Sequence, residues 1–312
     1  MKKIIHFITL LAFALCLGSC VETLSMKDIG IKPKLVLYCF LSPQYDTISV
    51  SLSNSQPLFS SNRGIAAIKN AVVEISNNNL HWVQIPYDKN SQHYLLLQSQ
   101  FPIIEGKTYY IRASAPDYES ISASCTVPFW REIDLKPEVE LVLTPRDYPY
   151  SAIDLSLSWK DYPNEENYYA LMNYSFTDFS YDDYFNKSFQ MDYLRGENYE
   201  VVISDEGKNG KKMKVFMEST SIASLSEFED YCSQYDSVYI IFIQADKNAF
   251  LYENSADAAM GMDELSIFML EPALIYNNIK DGYGIFGAMN FKSYRLNFRK
   301  KTIEEAEYPK KT

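Results

Sequence analysis

The sequence contains little of what common catalytic and metal sites require. It has three histidines and five cysteines among 312 residues, and no two cysteines show the C-x-x-C spacing of a zinc ribbon or a redox motif. The nucleophile-elbow (G-x-S-x-G), zincin (H-E-x-x-H) and P-loop patterns are also absent. We therefore expect a protein that is not an enzyme and that carries no cofactor and no metal ion.

Glycine, proline and long apolar runs are scarce as well. The chain has 11 glycines and 13 prolines but 25 tyrosines and 18 phenylalanines, and aromatic residues are enriched in strands. After the first 20 residues no apolar run approaches the length that spans a membrane. The net charge of -11 argues against nucleic acid as a partner, because nucleic acid selects basic surfaces. The composition predicts an acidic, mainly β protein.

The first 20 residues have the three-part plan of a signal peptide. Two lysines precede an apolar run over residues 4–17, and the small residues Gly18 and Ser19 lead to Cys20. This arrangement resembles a bacterial lipobox, in which the cysteine thiol carries a diacylglycerol. Several acyl chains on one residue make attachment to a lipid bilayer durable. The alternatives are a plain signal peptide with a chance cysteine and an uncleaved anchor.

Two β-rich domains are predicted to follow the anchor. The predicted boundaries are 1–19 for a lipoprotein signal peptide, 20–33 for a lipidated tether, 34–128 for the first domain, 129–300 for the second domain and 301–312 for a charged tail. About seven short strands with frequent turn signals in the first domain are typical of an immunoglobulin-like or fibronectin-like β-sandwich.

Apolar patterning supports these assignments. Residues 47–53 alternate, with Ile48, Val50 and Leu52 on one face. In the second domain, apolar residues at three-residue spacings over 219–231 predict a helix. A second helix is predicted over 247–262. The fold class is therefore mainly β, with one or two helices in the second domain.

Three cysteines remain after the predicted acylation site, so at least one of them is unpaired. Cys39 and Cys125 lie in the first and last predicted strands of the first domain. They form either a disulfide, if the compartment is oxidising, or two buried free thiols. The second interpretation is favoured, because cysteine is also a good small core residue.

Aromatic and acidic residues are interleaved over residues 176–185. Aromatic rings can stack on a sugar and carboxylates can accept its hydroxyls, although the same pattern suits β-sandwich packing. The spacing of the carboxylates does not match a calcium loop. The candidate ligand-binding residues are Phe179, Tyr181, Asp182, Asp183 and Tyr184.

One dinucleotide-binding pattern occurs near the end of the chain. Residues 282–287 read G-Y-G-I-F-G and match G-x-G-x-x-G. A dinucleotide site needs this string between an early strand and a helix, whereas here no apolar helix follows. We interpret the segment as a turn that needs permissive glycines.

The same segment carries a family resemblance. Residues 271–279 (E-P-A-L-I-Y-N-N-I) with 282–287 (G-Y-G-I-F-G) resemble the closing motif of the Bacteroidetes lipoproteins grouped as domain of unknown function 4249. Weaker matches lie in the expected order at 34–37, 70–73 and 105–110. The motif residues, of structural or unknown role, are Glu271, Pro272, Asn278, Gly282, Gly284, Phe286 and Gly287.

The resemblance implies a location and a partner but no activity. Members are often encoded beside TonB-dependent outer-membrane transporters, and the family has no recognised catalytic residues. Cys20 is followed by Val21 rather than by aspartate, which favours the outer membrane. Whether the protein lies on the cell-surface face or the periplasmic face of that membrane is left undecided. The leading hypothesis is a non-enzymatic outer-membrane lipoprotein that is an accessory or ligand-capture partner of a TonB-dependent transporter. The alternatives are a glycan- or peptide-binding surface module without a transporter and, less favoured, a hydrolase with a carboxylate pair.

Overall fold

The computed structural model describes residues 32–56, 67–143, 151–179, 186–194, 196, 201–222, 237–261, 274–297 and 300–307. The strands named below belong to one compact unit, Lys34–Asn54 with Ile65–Thr312. Strands make up 49% of the structure, which confirms the mainly β fold class. In the described part of the chain, no helix has the length and apolar character that a membrane crossing needs.

Short alternating strands build the first part of the fold. In chain order they are β1 (Leu35–Leu41), β2 (Thr47–Asn54), β3 (Val72–Ser76), β4 (Val83–Ile85), β5 (Tyr87–Asp88), β6 (His93–Leu97), β7 (Thr108–Ser114) and β8 (Ile121–Thr126). In β2 the buried side chains include Ile48, Val50 and Leu52, the three residues that the alternating pattern places on one face.

Longer strands and one described helix follow. They are β9 (Lys136–Leu143), β10 (Ser151–Lys160), β11 (Tyr168–Phe179), β12 (Asn186–Leu194), β13 (Ile203–Ser204), β14 (Lys212–Ile222), β15 (Ser237–Ala245), α1 (Lys247–Gly261), β16 (Tyr283–Asn297) and β17 (Thr302–Ala306). The helix predicted over 247–262 is confirmed by α1.

The helix predicted over 219–231 is wrong at its start. Residues 219–222 belong to β14, which pairs antiparallel with β10 from Lys212↔Lys160 to Ile222↔Ser151. Pairing with a neighbouring strand overrides the local three-residue spacing, because tertiary context decides between weak local preferences. Residues 223–231 lie outside the described part of the chain.

The largest sheet of the described residues has ten strands, in the order β12-β11-β15-β16-β1-β2-β6-β5, with β13 paired to β11 and β17 to β16; we call it the long sheet. Two smaller sheets, β4-β3-β7-β8 and β14-β10-β9, complete the strands. The first smaller sheet shares a hydrophobic core with β1, β2 and β6, and the second shares one with β11, β15 and β16. Each end of the long sheet is therefore half of a sandwich.

Helix α1 covers the long sheet on the face opposite the second sandwich core. In β15, Ile240 and Phe242 belong to that core, whereas Ile241 and Ile243 pack in a cluster with Ala249 of α1. Asp246 caps the helix, since its Oδ1 accepts a hydrogen bond from the Ala249 N–H at 2.8 Å.

The centre of the long sheet is a parallel pair of strands, which we call the seam. It consists of Val36–Leu41 in β1 and Tyr283–Ala288 in β16. The seam joins strands from the two predicted domains, 34–128 and 129–300, into one sheet. The boundary between those domains stays a prediction.

Gly284 and Gly287 of the closing motif lie in the seam, so our interpretation of residues 282–287 as a turn is wrong for residues 283–287. Gly282 lies in the bend just before β16. Gly284 has φ +109° inside β16, and a Cβ there would overlap the Leu37 carbonyl oxygen. A Cβ on Gly287 would lie 2.7 Å from the Phe40 ring. The glycines are needed because the two backbones approach closely.

Both cysteines of the first sandwich are buried free thiols, as the composition favours. Burial raises the pKa of the Cys39 thiol to about 12, and burial also raises the pKa of Cys125 well above its usual value. These thiols therefore stay protonated core groups at neutral pH. The fifth cysteine, Cys232, lies outside the described residues.

Candidate functional site

The four-stranded sheet buries one face and exposes the other. Along β7, Tyr109, Ile111 and Ala113 are buried, while Tyr110 is half-buried and Arg112 is exposed. Successive side chains of a strand point to opposite faces. The outer face of this sheet therefore presents polar and aromatic side chains to solvent.

Strand register places four of these outer side chains in one row. Arg112 on β7 lies opposite Glu74 on β3 and Ser122 on β8. On the far side of β8, Ser122 forms an isolated antiparallel bridge with Lys280, with backbone hydrogen bonds of 2.8 and 3.4 Å. Directly opposite residues share a face, so we call Glu74, Arg112, Ser122 and Lys280 the charged row.

A groove of about 550 Å³ lies over this face. Three residues of the charged row, Arg112, Ser122 and Lys280, form its floor with the hairpin between β3 and β4 at one side, and the start of α1 with the segment before β16 forms the other side. Its aromatic, cationic and amide side chains include Trp82, Tyr110, Arg112, Asn248, Asn278 and Lys280.

Arg112 is held in place by two neighbours. Its Cζ lies 4.1 Å from the centroid of the Trp82 ring, within the range of a cation–π contact. Its Nε donates to Glu74 Oε2 at 2.7 Å. The side chain of Arg112 remains 47% exposed, so this ion pair contributes little to stability. Its main effect is to orient the guanidinium along the groove floor.

Two asparagines form the opposite wall. Asn278 Nδ2 donates to the Phe286 carbonyl at 2.8 Å, and the Phe286 N–H donates to Asn278 Oδ1 at 2.9 Å. Asn248 Oδ1 accepts from the Tyr276 hydroxyl at 2.9 Å, and its Nδ2 donates to the Ser124 carbonyl at 3.4 Å. Both amides are therefore fixed in orientation before any ligand arrives.

Asp246 sits at the start of α1 and accepts a hydrogen bond from Asn248 Nδ2 at 3.4 Å. Burial raises the pKa of the Asp246 carboxyl to about 6, against hydrogen bonds from backbone N–H groups that lower it. Desolvation disfavours the charged form more than the helix cap favours it. The carboxyl is therefore half-protonated near pH 6.

A second, smaller cleft of about 210 Å³ lies near Arg131. There Arg131 donates to both carboxylate oxygens of Glu165, at 2.6 and 2.7 Å, and its Cζ lies 4.6 Å from the Tyr162 ring centroid. A bidentate pair of this kind satisfies the guanidinium within the protein. This cleft offers a ligand less charge than the first groove does.

Two acidic residues outside these clefts, Asp161 and Asp205, accept hydrogen bonds from other residues of the protein. Asp161 is 2% exposed and accepts hydrogen bonds from the Tyr169 hydroxyl at 2.7 Å and the Gly210 N–H at 2.6 Å. Asp205 accepts from Asn209 at 3.2 Å. Burial raises the pKa of Asp161, but both carboxylates join loops together rather than line a cleft. The described residues contain no group of three or more metal-ligating side chains placed to hold an ion.

The structure describes only some of the residues predicted from sequence. Phe179 ends β11 opposite Asn186 of β12. The remaining candidates outside the described residues are Cys20, Tyr181, Asp182, Asp183, Tyr184, Glu271 and Pro272. The proposed ligand-binding segment 176–185 therefore stays a prediction.

The described motif residues come together in space. Asn278 holds the Phe286 backbone, whose side chain is buried in the first sandwich core. A Cβ on Gly282 would lie 2.6 Å from Ile121, and Gly284 and Gly287 contact β1 as described above. The motif is thus structural at these positions, and one of its members, Asn278, also lines the groove.

Sequence reasoning missed the groove itself. Its residues come from five separate segments, and no local motif links Trp82, Tyr110 and Lys280. Alternation over residues 107–115 does assign Tyr110 and Arg112 to the polar face of a strand. Register between strands, which places Lys280 in the same row, is not readable from that pattern.

Comparison with solved structures found only remote likeness. The B domain of a biofilm associated protein has 7% sequence identity over 87% of this chain and 88% of its own, with a TM-score of 0.20. The BSP domain of a biofilm associated protein has 7% identity over 88% of this chain and 60% of its own, with a TM-score of 0.20. A bacterial ice-binding adhesin has 7% identity over 84% and 64%, with a TM-score of 0.17. TM-scores this low carry no inference about function.

No curated protein matches the chain. One family profile does match, the domain of unknown function DUF4249, and it covers residues 22–295. The match includes the closing motif from which the resemblance was first drawn. The chain therefore belongs to the DUF4249 family.

Proposed function

We propose that this protein is a non-enzymatic, lipid-anchored capture protein of the outer membrane and that it binds a saccharide in the groove beside β8. The observation that carries the proposal is the convergence of an aromatic ring pair, two cations and two oriented amides on one open groove. A few fixed polar groups beside aromatic surface are typical of small-ligand sites.

The chemistry of the groove suits a sugar better than an apolar ligand. Each asparagine has two donors and two acceptor lone pairs, and the hydrogen bonds of Asn278 to Phe286 use one donor and one lone pair. One donor and one acceptor thus remain for sugar hydroxyls, which both donate and accept. Tyr110 and Trp82 supply rings for the apolar face of a pyranose.

Binding of oligosaccharides to the purified protein tests this proposal. We expect Trp82→Ala to weaken binding about tenfold, which corresponds to about 1.4 kcal/mol, because the indole both contacts the groove and braces Arg112. Isothermal titration calorimetry measures the affinity. Phe216→Ala is the control, since Phe216 is an exposed aromatic residue that, like the half-buried Trp82, lies under a cation, with Lys214 Nζ 5.0 Å from its ring centroid. Unchanged binding in the Trp82 variant, or an equal loss in both, would refute the assignment of this groove.

Anchoring and the transporter partner are parts of the same proposal. The motivation for acylation is the sequence pattern alone, in which two lysines, an apolar run and the small residues Gly18 and Ser19 lead to Cys20. We expect Cys20→Ser to release the protein from the membrane fraction. A pull-down of the acylated protein in mild detergent should recover a TonB-dependent transporter, and its absence would remove the partner while leaving saccharide capture intact.

A further inference from the structure

We infer that the saccharide bound in the groove is acidic, with a uronate carboxylate held between Arg112 and Lys280 above Ser122. This inference rests on the proposed saccharide capture and names the ligand class. It follows from the strand register of the charged row, from the charges of that row and from the position of Tyr110.

Register sets the distance between the two cations. Arg112 and Ser122 are directly opposite across β7 and β8, and Ser122 is bridged to Lys280. Neighbouring strands lie about 4.8 Å apart, so the backbones at Arg112 and Lys280 are roughly 10 Å apart. Both side chains are long enough to reach an oxygen pair placed between them. The Ser122 hydroxyl lies directly below that position and can donate a third hydrogen bond.

The charges of the row fit one carboxylate. The Glu74 carboxylate compensates one positive charge, and its bond to Arg112 uses Nε, so the terminal amino groups of the guanidinium can still donate. Among the described residues, the Lys280 ammonium has no ion pair. The charged row therefore carries a net charge of one positive unit, in a chain whose total is -11. A single carboxylate neutralises this row, whereas a dianionic group would leave an excess negative charge.

Tyr110 places the sugar ring beside the anion site. It precedes Arg112 by two residues on β7 and faces the same side, at about 6.8 Å along the strand. A pyranose whose carboxylate meets the charged row would extend over this ring. Asn248 and Asn278 then lie at the side of the sugar that carries its remaining hydroxyls. One uronate residue thus uses every kind of side chain in the groove.

Paired acidic and esterified sugars test the inference. The probes are short oligomers of galacturonate, glucuronate and mannuronate, each beside its methyl ester, which keeps the ring and removes the charge. We expect at least one acid to bind at least tenfold tighter than its ester, a difference of about 1.4 kcal/mol. The acid should also bind more weakly as sodium chloride is raised, because exposed charges are screened.

Single substitutions identify the residue that distinguishes the acidic sugar from its methyl ester. Lys280→Gln should reduce the preference for acid over ester about tenfold, because it removes one of the two charges that hold the carboxylate. Lys280 is exposed and its bridge to Ser122 uses backbone atoms, so the variant keeps the fold. Lys214→Gln, which changes a half-buried strand lysine of another sheet, is the control and should leave the preference intact.

Each outcome has a distinct meaning. Esters or neutral oligosaccharides that bind as tightly as the acids would overturn the acidic-ligand inference and leave saccharide capture standing. Failure of every acidic and neutral saccharide would overturn both. Equal binding of poly-glutamate would show that charge alone is recognised, and it would overturn the inference as well. An acid preference that survives in Lys280→Gln would move the anion site away from the charged row.

Discussion

The seam forms where β16 meets β1, and the groove forms where the segment before β16 meets the four-stranded sheet. Backbone atoms determine the seam, whereas side chains determine the groove. At the seam, backbone lies against backbone, and Gly284 is required because a Cβ would overlap Leu37. In the groove, exposed side chains on a finished sheet determine the surface, as at Arg112, whose side chain is 47% exposed. A substitution at the seam should affect folding, whereas one in the groove should affect the ligand.

This difference explains what the family motif records. Gly284 and Gly287 of the motif lie in the seam, and Asn278 ties the preceding segment to Phe286. The aromatic and cationic groove residues Trp82, Tyr110 and Arg112 lie outside the motif. At the described positions the motif therefore records backbone packing, whereas these three groove side chains come from other parts of the chain. The predictions that follow test this separation, from the largest effect to the smallest.

The largest effect is expected from Gly284→Ala. The added methyl group meets the Leu37 backbone, and the residue also has φ +109°, so we expect a loss of more than about 4 kcal/mol in the free energy of unfolding. Urea unfolding followed by circular dichroism measures it. Gly207→Ala is the control, because Gly207 has φ +72° with nothing within 4 Å of a Cβ and should cost about 1–2 kcal/mol. Equal losses in the two variants would contradict close packing at the seam.

The next effect depends on pH and concerns Asp246, which lies beside the end of the seam. Its pKa is about 6 in the folded protein, above the ordinary value of 3.8. Because folding disfavours the charged form, stability should rise as pH falls from above 6 toward 4, by an amount on the order of 2–3 kcal/mol. Asp246→Asn keeps a helix-capping side chain and removes this charge.

The difference between wild type and Asp246→Asn isolates this one group from the other titrations. We expect the variant to be more stable at neutral pH and the two proteins to converge near about pH 4. Unfolding free energies measured in urea across this range give the difference directly. If the difference in unfolding free energy between the two proteins did not change with pH, burial would not shift the pKa of this carboxyl.

A smaller loss is expected from Asn278→Ala. The substitution removes two hydrogen bonds and leaves the N–H and carbonyl of Phe286 without their partner, which should cost about 2 kcal/mol. Lys280→Ala, two residues further along the same segment, exposes no such backbone groups and should stay within about 0.5 kcal/mol of wild type. Urea unfolding compares the two variants. Equal losses would mean that Asn278 in the groove wall contributes no more to stability than Lys280 in the charged row.

The smallest effect is expected for the ion pair of Arg112 and Glu74. Both side chains are partly exposed, at 47% and 24%, so a double-mutant cycle to alanine should give a coupling of about 0.2–1 kcal/mol in unfolding. A coupling above about 2 kcal/mol would mean that the groove floor stabilises the fold, and it would contradict the expectation that substitutions in the groove affect the ligand rather than folding.

Local pattern was enough for the strands of the first sandwich. The alternating run at 47–53 became β2 with the expected residues buried, and the apolar run at 35–41 became β1. Residues 77–82 join β3 and β4 and include Asn79 at φ 58°, a left-handed backbone that asparagine tolerates. In these cases the partner strand is close in sequence, so turn chemistry and alternation act together.

The local residue pattern predicted the wrong structure where the partner strand is distant in sequence. The glycines at 282–287 indicated a turn because nothing near them shows that β1 lies alongside. Residues 219–222 indicated a helix because their partner strand, β10, is about seventy residues away in the register of β14. The groove was missed for the same reason, since Lys280 joins Arg112 only through two successive strand pairings.

The seam also imposes an order on folding. β1 is among the first strands to be synthesised, yet one of its two neighbours, β16, is among the last, with Leu37 paired to Gly284. Contacts so far apart in sequence close a large loop, which slows folding. Until Tyr283 and the residues after it have emerged, the apolar β1 has one open edge that can pair with another chain. A nascent or truncated chain that ends before β16 should therefore depend on chaperones to avoid aggregation.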